Sequence, residues 1–431
     1  MDQPRQPLAR AWVATLAGTT VNLCLGILYA WSVWKARLLA GPDRPSGSPM
    51  AGLDVGWVYL TDAQATVAYA TCGMVFALGM IPGGRLQDRY GPRVGATVGG
   101  LFLGVGCVLA GMLRSYAGLV LGFGVLGGLG MGFGYAAATP AAVRWFGPHR
   151  RGLVVGLVVA GYGGAAVYIA PLAQALIAGV GLSGSFVALG VLFAGVVAAA
   201  ARLLVPPPPG YTPPPPPGAP AATGFRVDWS PREALGTWQF YALVALLAGS
   251  AQAGLLVIAN AAPMLTRTAG TTGVLAGHGW LLAAFGGVVN AAGRVGTGAY
   301  SDRLGRPTAY LLNGLAAAVC LAATPAVMHT GSVPLLFLVV GVAFWQYGGG
   351  LALVPALTAD YFGARHLGAV YGFVFLGWGA AFLVPLLAGV IKDATGSLDV
   401  AFYLSVGVLV GAVGLSRLLR RPVHPKERGT D

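Results

Sequence analysis

Gly84-Arg-Leu-Gln-Asp88-Arg89-Tyr-Gly91 and Gly298-Ala-Tyr-Ser-Asp302-Arg303-Leu-Gly305 are one eight-residue pattern written twice, 214 positions apart in a chain of 431. Each copy sits between two long apolar runs. A second pattern repeats at almost the same offset. Trp145-Phe146-Gly147 is followed by Gly152, Gly156, Gly161 and Gly163; Tyr361-Phe362-Gly363 is followed by Gly368, Gly372, Gly377 and Gly379. The chain therefore reads as a several-span half built twice in the same direction.

The composition is that of a membrane protein. Hydrophobic residues make up 56% of the chain and charged residues 9%, against about 25% charged in a soluble domain. Crossing ~30 Å of hydrocarbon takes ~20 apolar residues as a helix. Twelve such runs are present, at 11–39, 58–83, 94–113, 116–143, 152–179, 182–204, 238–263, 277–300, 308–329, 332–359, 367–391 and 398–419. Backbone in lipid must satisfy its own hydrogen bonds, so these runs predict helices. They are too long, and too uniformly apolar, for barrel strands. Parallel repeats of this kind are one plan for secondary transporters.

The net charge of +13 would point to nucleic acid on a soluble chain. Here its placement reads differently. With the N-terminus inside, nineteen basic residues fall on cytoplasmic segments and six on the opposite face, Lys35 and Arg37 among the six. That bias predicts an inner-membrane protein with both termini cytoplasmic. The first run is too long for a signal-peptide core and is expected to be retained. Cys24, Cys72, Cys107 and Cys320 lie within apolar runs at no metal-ligand spacing, and no cofactor is expected.

Residues 1–205 and 237–431 are expected to form two six-helix bundles. The stretch 206–236 joins them, and its run Pro206 to Pro217 suits a semi-rigid linker. After it, Asp228-Trp-Ser-Pro-Arg232-Glu233 predicts a short helix along the cytoplasmic face, and Gly41 to Gly56 a loop of little regularity. Gly122, Gly124 and Gly127 satisfy G-x-G-x-x-G, but inside a span, where the glycines serve close helix packing rather than nucleotide binding.

The repeated octapeptides match the G-x-x-x-D-R-x-G-x-R signature of the major facilitator superfamily, and the resemblance covers nearly the whole chain. It implies an all-α integral membrane fold of twelve helices in two pseudo-symmetric bundles around a central site. Within that superfamily the chain resembles the oxalate/formate antiporter family and its monocarboxylate-transporting relatives. The residues that carry this are Gly26-x-x-Tyr29-x-Trp31-Ser32, Arg144-Trp-Phe146 with Arg151-Gly152, Tyr162-Gly163 and Asn290-x-x-x-Arg294.

Arg294 is the leading candidate for substrate binding. It lies eight residues before Asp302, about 12 Å inside that end of its helix. An arginine in mid-span costs ~2.5–3.5 kcal/mol and usually marks a substrate pathway. Its planar fork donates two parallel hydrogen bonds, which suits a carboxylate. Asn290 lies one turn away on the same face. The resemblance implies an aromatic-rich cavity from Leu28, Tyr29, Tyr135, Tyr162 and Tyr347.

Two departures from the family pattern bear on the substrate. Oxalate carriers of this kind are expected to bear a lysine in helix eleven, where this chain has Trp378. One fixed cation suits a monocarboxylate such as lactate or pyruvate better than a dianion. Animal monocarboxylate carriers bear an aspartate one turn before the arginine, and Asn290 stands there instead. That leaves no acid in mid-span to carry a proton; His278 lies about 24 Å from Arg294 along the helix. A lone anion entering a negative cell is opposed by about 2.3 kcal/mol per 100 mV, so uptake needs a proton or a counter-anion.

Asp88, Arg89, Arg144, Asp302 and Arg303 are expected to act as gates, with Asp88 paired to Arg144. Asp360 takes the place of Arg144 in the second half, so the two gates differ in charge. The resulting expectation is a monocarboxylate transporter working by alternating access with proton symport. Its alternative is an oxalate/formate-type exchanger, and a non-transporting membrane sensor comes third. The five scattered histidines give no support to an enzyme.

Overall fold

The computed structural model describes residues 6–41, 43–146, 148–208, 211, 228–270, 275, 277–363 and 366–424; side chains at 6–8, 148–153 and 368 are excluded. Most of the proline linker lies outside the described residues. The chain divides into two compact units, Met1–Pro220 and Ala221–Asp431.

The first unit holds α1 (Ala9–Leu38), α2 (Asp62–Tyr90), α3 (Pro92–Leu113) and α4 (Tyr116–Val143). Residues 148–201 follow as α5 (148–180) and α6 (182–201). These two run on without a loop, and the chain turns at Gly181, whose φ of +70° lies outside the helical region. The second unit holds α7 (Trp238–Ala269), α8 (Trp280–Leu304), α9 (Arg306–Thr330) and α10 (Val333–Phe362). It ends with α11 (Ala369–Thr395) and α12 (Asp399–Leu418). Among the described residues ten helical stretches are long and apolar enough to cross a membrane. Splitting the stretch 154–201 at Gly181 and adding α8, whose apolar character is diluted by Asn290, Arg294 and its glycines, gives the expected twelve.

Within the first unit α1 packs on α4 and α5, α2 on α4, and α3 on α4 and α6. Within the second, α7 packs on α10 and α11, α8 on α10, and α9 on α10 and α12. Every pairing in one unit recurs six helices later in the other, so the sequence repeat is a repeat of architecture.

The repeated octapeptide is helical for most of its length. Gly84–Tyr90 and Gly298–Leu304 are the last turns of α2 and α8, and a single glycine makes each connection. Gly91 and Gly305 adopt φ of +88° and +83°, a region that costs other residues strain. Pro92 and Pro307 then stand in the first turn of the next helix, where a missing N–H costs nothing. Apolarity marks where lipid ends; it does not mark where a helix ends.

A second correction concerns the segment between α1 and α2, which is ordered. Leu60 N donates to Leu38 O and Ala40 N to Leu60 O, each at 2.9 Å, and Met50 N donates to Trp57 O at 2.9 Å. Asp54, 1% exposed, accepts Arg37 Nε at 2.7 Å and the backbone N–H of Leu182 at 2.7 Å, which caps α6. Trp57 Nε1 donates to Ser183 Oγ at 2.9 Å. Leu182 and Ser183 lie more than a hundred residues away, beyond the reach of local pattern. The predicted helix near Asp228 is one turn and a half, Pro231–Leu235, with Ser230 and Glu233 forming a capping box.

Candidate functional site

In the first unit the expected aromatic residues meet around irregular helix. Gly26–Ala30 of α1 winds as a 3-10 turn and carries Leu28 and Tyr29, both buried. Tight or loose turns inside helices often mark functional positions. Tyr29 meets Tyr162 of α5 edge-on, ring centres 5.0 Å apart at 84°, and Tyr162 meets Tyr135 of α4 at 5.5 Å and 86°. Phe76 of α2 completes the group, 5.5 Å from Tyr135 and 5.7 Å from Tyr162. Sequence reading missed Phe76, because a phenylalanine inside an apolar run carries no distinguishing signal. Four helices thus contribute one ring each; three of the four contacts have the edge-to-face geometry that aromatic quadrupoles favour, and Phe76 meets Tyr162 tilted at 49°.

In the second unit the expected residues form two pairs. Arg294 and Asn290, 7% and 1% exposed, share one face of α8, and Arg294 Nε donates to Asn290 Oδ1 at 3.4 Å. Trp378 Nε1 of α11 donates to Tyr347 Oη of α10 at 2.9 Å, and both residues are buried. Trp378 is stacked on Phe375 at 5.1 Å and 22°, and meets Phe382 at 4.8 Å and 77°. Gly348, the neighbour of Tyr347, ties the pairs together: a Cβ there would collide with the backbone carbonyl of Asn290 and lie 2.9 Å from its Oδ1. One turn beyond Arg294, Thr297 Oγ1 accepts Asn313 Nδ2 at 3.1 Å, and Tyr300 bonds Asn313 in turn. This polar network holds α8 to α9 beside the arginine.

The motif residues lie at the ends of their helices. Arg144 Nη2 stands 3.7 Å from Asp88 Oδ1, with the side chains 49% and 73% exposed. Arg89 lies over the ring of Tyr90 at 5.2 Å. In the second unit Arg306 takes the central place: its Nε is 2.6 Å from Asp360 Oδ2 and its Nη1 3.4 Å from Asp302 Oδ1. Arg303 is exposed. Among the described residues no three His, Cys, Asp or Glu side chains converge as metal ligands would.

The structure adds a partner for Lys35. It is buried against Asp62, Nζ to Oδ1 2.6 Å, with the side chains 1% and 3% exposed. Lys35 closes a span rich in tryptophan, and Asp62 begins the next helix just inside the Thr61–Gln64 capping box.

The sequence profile of the Major Facilitator Superfamily matches residues 12–345 and 275–431. The chain belongs to that superfamily. It is a multi-pass membrane protein with the superfamily's fold. The oxalate:formate antiporter of Oxalobacter formigenes is 28% identical over 415 residues, covering 89% of this chain and 90% of its own. Monocarboxylate transporter 11 of Mus musculus is 31% identical over 182 residues, 42% of this chain and 37% of its own. A solved bacterial homologue of the human lysosomal transporter Spinster, inward-facing and unoccupied, aligns over 97% of this chain and 96% of its own, with a TM-score of 0.64. At 16% identity that likeness concerns the fold alone.

Proposed function

We propose that this superfamily member is a secondary transporter of small monocarboxylates of the lactate or pyruvate type, working by alternating access, with Arg294 binding the carboxylate. The observation that carries the reading is the buried guanidinium of Arg294 beside Asn290 on α8. The guanidinium is planar by its own resonance and presents donors in a fork that matches a two-oxygen ligand, while the Asn290 amide oxygen helps to fix it at Nε. Trp378 stands where a second cation is expected in oxalate carriers. A dianion would therefore leave excess negative charge in low dielectric. Proton symport is the coupling this reading favours, because it cancels the substrate's charge against the membrane potential. Asp88, Arg89 and Arg144 in one unit, and Asp302, Arg303 and Arg306 in the other, are proposed as gating groups.

The second reading is anion exchange of the oxalate:formate kind. It is favoured by the long match to the Oxalobacter protein. Uptake of labelled lactate, pyruvate and formate into proteoliposomes separates the two, measured with and without a pH gradient and with and without preloaded oxalate. Uptake driven by the gradient supports symport, and stimulation only by preloaded oxalate supports exchange. Arg294→Ala is expected to lose at least about a hundredfold in uptake, as removing a charged bidentate contact does. Arg294→Lys keeps the charge but loses the fork and should not restore the rate. Normal transport by Arg294→Ala sinks the site assignment. Trp378→Lys should shift preference toward oxalate in a competition assay.

A further inference from the structure

We propose that Met131 is a place-holding acceptor for the Tyr162 hydroxyl, which leaves it to donate to an oxygen of the substrate anion. Met131 is then a positioning residue that tunes affinity through Tyr162. The inference rests on the carboxylate reading above and deepens it within the first unit.

Tyr162 Oη of α5 donates to Met131 Sδ of α4 at 3.7 Å. Cys72 Sγ of α2 donates to the same sulfur, also at 3.7 Å. All three side chains are buried. Met131 lies one turn before Tyr135 on α4, and Cys72 one turn before Phe76 on α2. The aromatic group described above therefore rests on a thioether that receives donors from two other helices.

A buried phenol needs an acceptor, because an unsatisfied donor costs its full desolvation. Yet the acceptor supplied here is among the weakest a protein possesses. A side-chain or backbone oxygen in that place would hold the hydroxyl more tightly. The thioether satisfies the phenol while the protein is empty. A carboxylate oxygen then displaces it, since a hydrogen bond to a charged acceptor is shorter and stronger. One O–H···S contact breaks, one O–H···O bond forms, and no proton is transferred. Cys72 still donates to Met131 afterwards, so the sulfur keeps a partner through the exchange.

The backbone around Tyr162 departs from regular helix on both sides. α1 winds as a 3-10 turn over Gly26–Ala30. The ladder of α5 is interrupted at Ala165, whose N–H donates to the Tyr162 carbonyl at 3.4 Å. A Cβ on Gly26 would collide with that carbonyl and with the Ala165 side chain, so the two irregular stretches touch. Such departures often sit at functional positions. A phenylalanine would fill the same space; what the hydroxyl adds is a donor.

The test uses the full chain in proteoliposomes with labelled lactate, and formate in parallel, together with Kd from calorimetry on purified protein. Met131→Gln offers an oxygen acceptor and should hold the hydroxyl. KM and Kd are expected to rise about tenfold, the worth of one stronger hydrogen bond, with the maximal rate little changed. Met131→Leu keeps the volume and leaves the phenol without its acceptor in the empty protein. KM and Kd should then fall several-fold. In a Tyr162→Phe background neither substitution should move KM. Opposite shifts that vanish with the hydroxyl are not what a packing defect gives. Shifts of the same sign in Met131→Gln and Met131→Leu overturn the proposal, as does a difference between them that persists in Tyr162→Phe. If Met131→Gln does not fold, Met131→Leu decides alone, and an unchanged or raised KM overturns the proposal. Wild type that moves a probe with both variants matching it overturns the proposal and leaves the carboxylate reading standing. Wild type that neither binds nor moves either probe overturns both.

Discussion

Asp54 and Trp378 show how much a single side chain fixes in this protein. Asp54 lies in a connecting segment yet is 1% exposed, and it caps a helix N-terminus 128 positions away. Asp54→Ala is expected to lower stability by about 1–2 kcal/mol, the cost of a lost cap, read as a fall in the unfolding midpoint in detergent. Asp54→Asn, which still accepts a hydrogen bond, should fall less. Trp378 combines two roles that a phenylalanine separates. Trp378→Phe keeps the stack on Phe375 and removes the N–H that meets Tyr347. If Tyr347 orients substrate, this variant should raise KM several-fold and leave the midpoint nearly unchanged; an unchanged KM removes Tyr347 and Trp378 from the site. Arg294 was legible in the sequence because an arginine inside an apolar run stands out by its cost. The partner of Lys35 was not legible: near the end of a run a lysine is cheap if it reaches water, and sequence cannot show that it turns inward to a carboxylate 27 positions away.

At the level of elements, helix existence was legible and helix ends were not. Hydrophobic length gave the spans, but α2 and α8 continue through the charged octapeptide until a positive-φ glycine stops them. A Cβ at Gly91 or Gly305 would touch nothing within 4 Å. Gly91→Ala and Gly305→Ala should therefore cost only backbone strain, about 1–3 kcal/mol each. Gly181→Ala adds a collision, since its Cβ would approach the Leu53 carbonyl and lie 2.9 Å from Asp54 Oδ1. It should be the most destabilising of the three in parallel thermal melts. The segment between α1 and α2 escaped prediction because its structure is made by contacts to α6, not by its own periodicity.

For the molecule as a whole, the duplication repeats helix pairing faithfully and charge placement loosely. The first unit sets an exposed acid against an arginine at 3.7 Å. The second centres an arginine between two acids at 2.6 and 3.4 Å. An exposed pair contributes little to stability. Asp88→Asn should thus leave the unfolding midpoint essentially where it is and change turnover more than substrate affinity. Arg306→Ala removes a closer and less exposed network, and should lower both turnover and midpoint. Equal transport rates in wild type and Asp88→Asn would count against a gating role.

The docked segment between α1 and α2 also offers a practical handle. Ser46 is exposed at its tip, while Cys24, Cys72 and Cys107 are buried and Cys320 is half-buried. A hydrophilic maleimide should therefore mark Ser46→Cys in preference to the native thiols. Because Trp57 and Asp54 bolt the segment to α6, a fluorophore at that tip would travel with its six helices as a rigid pointer, and its signal would follow the bundle instead of local wobble.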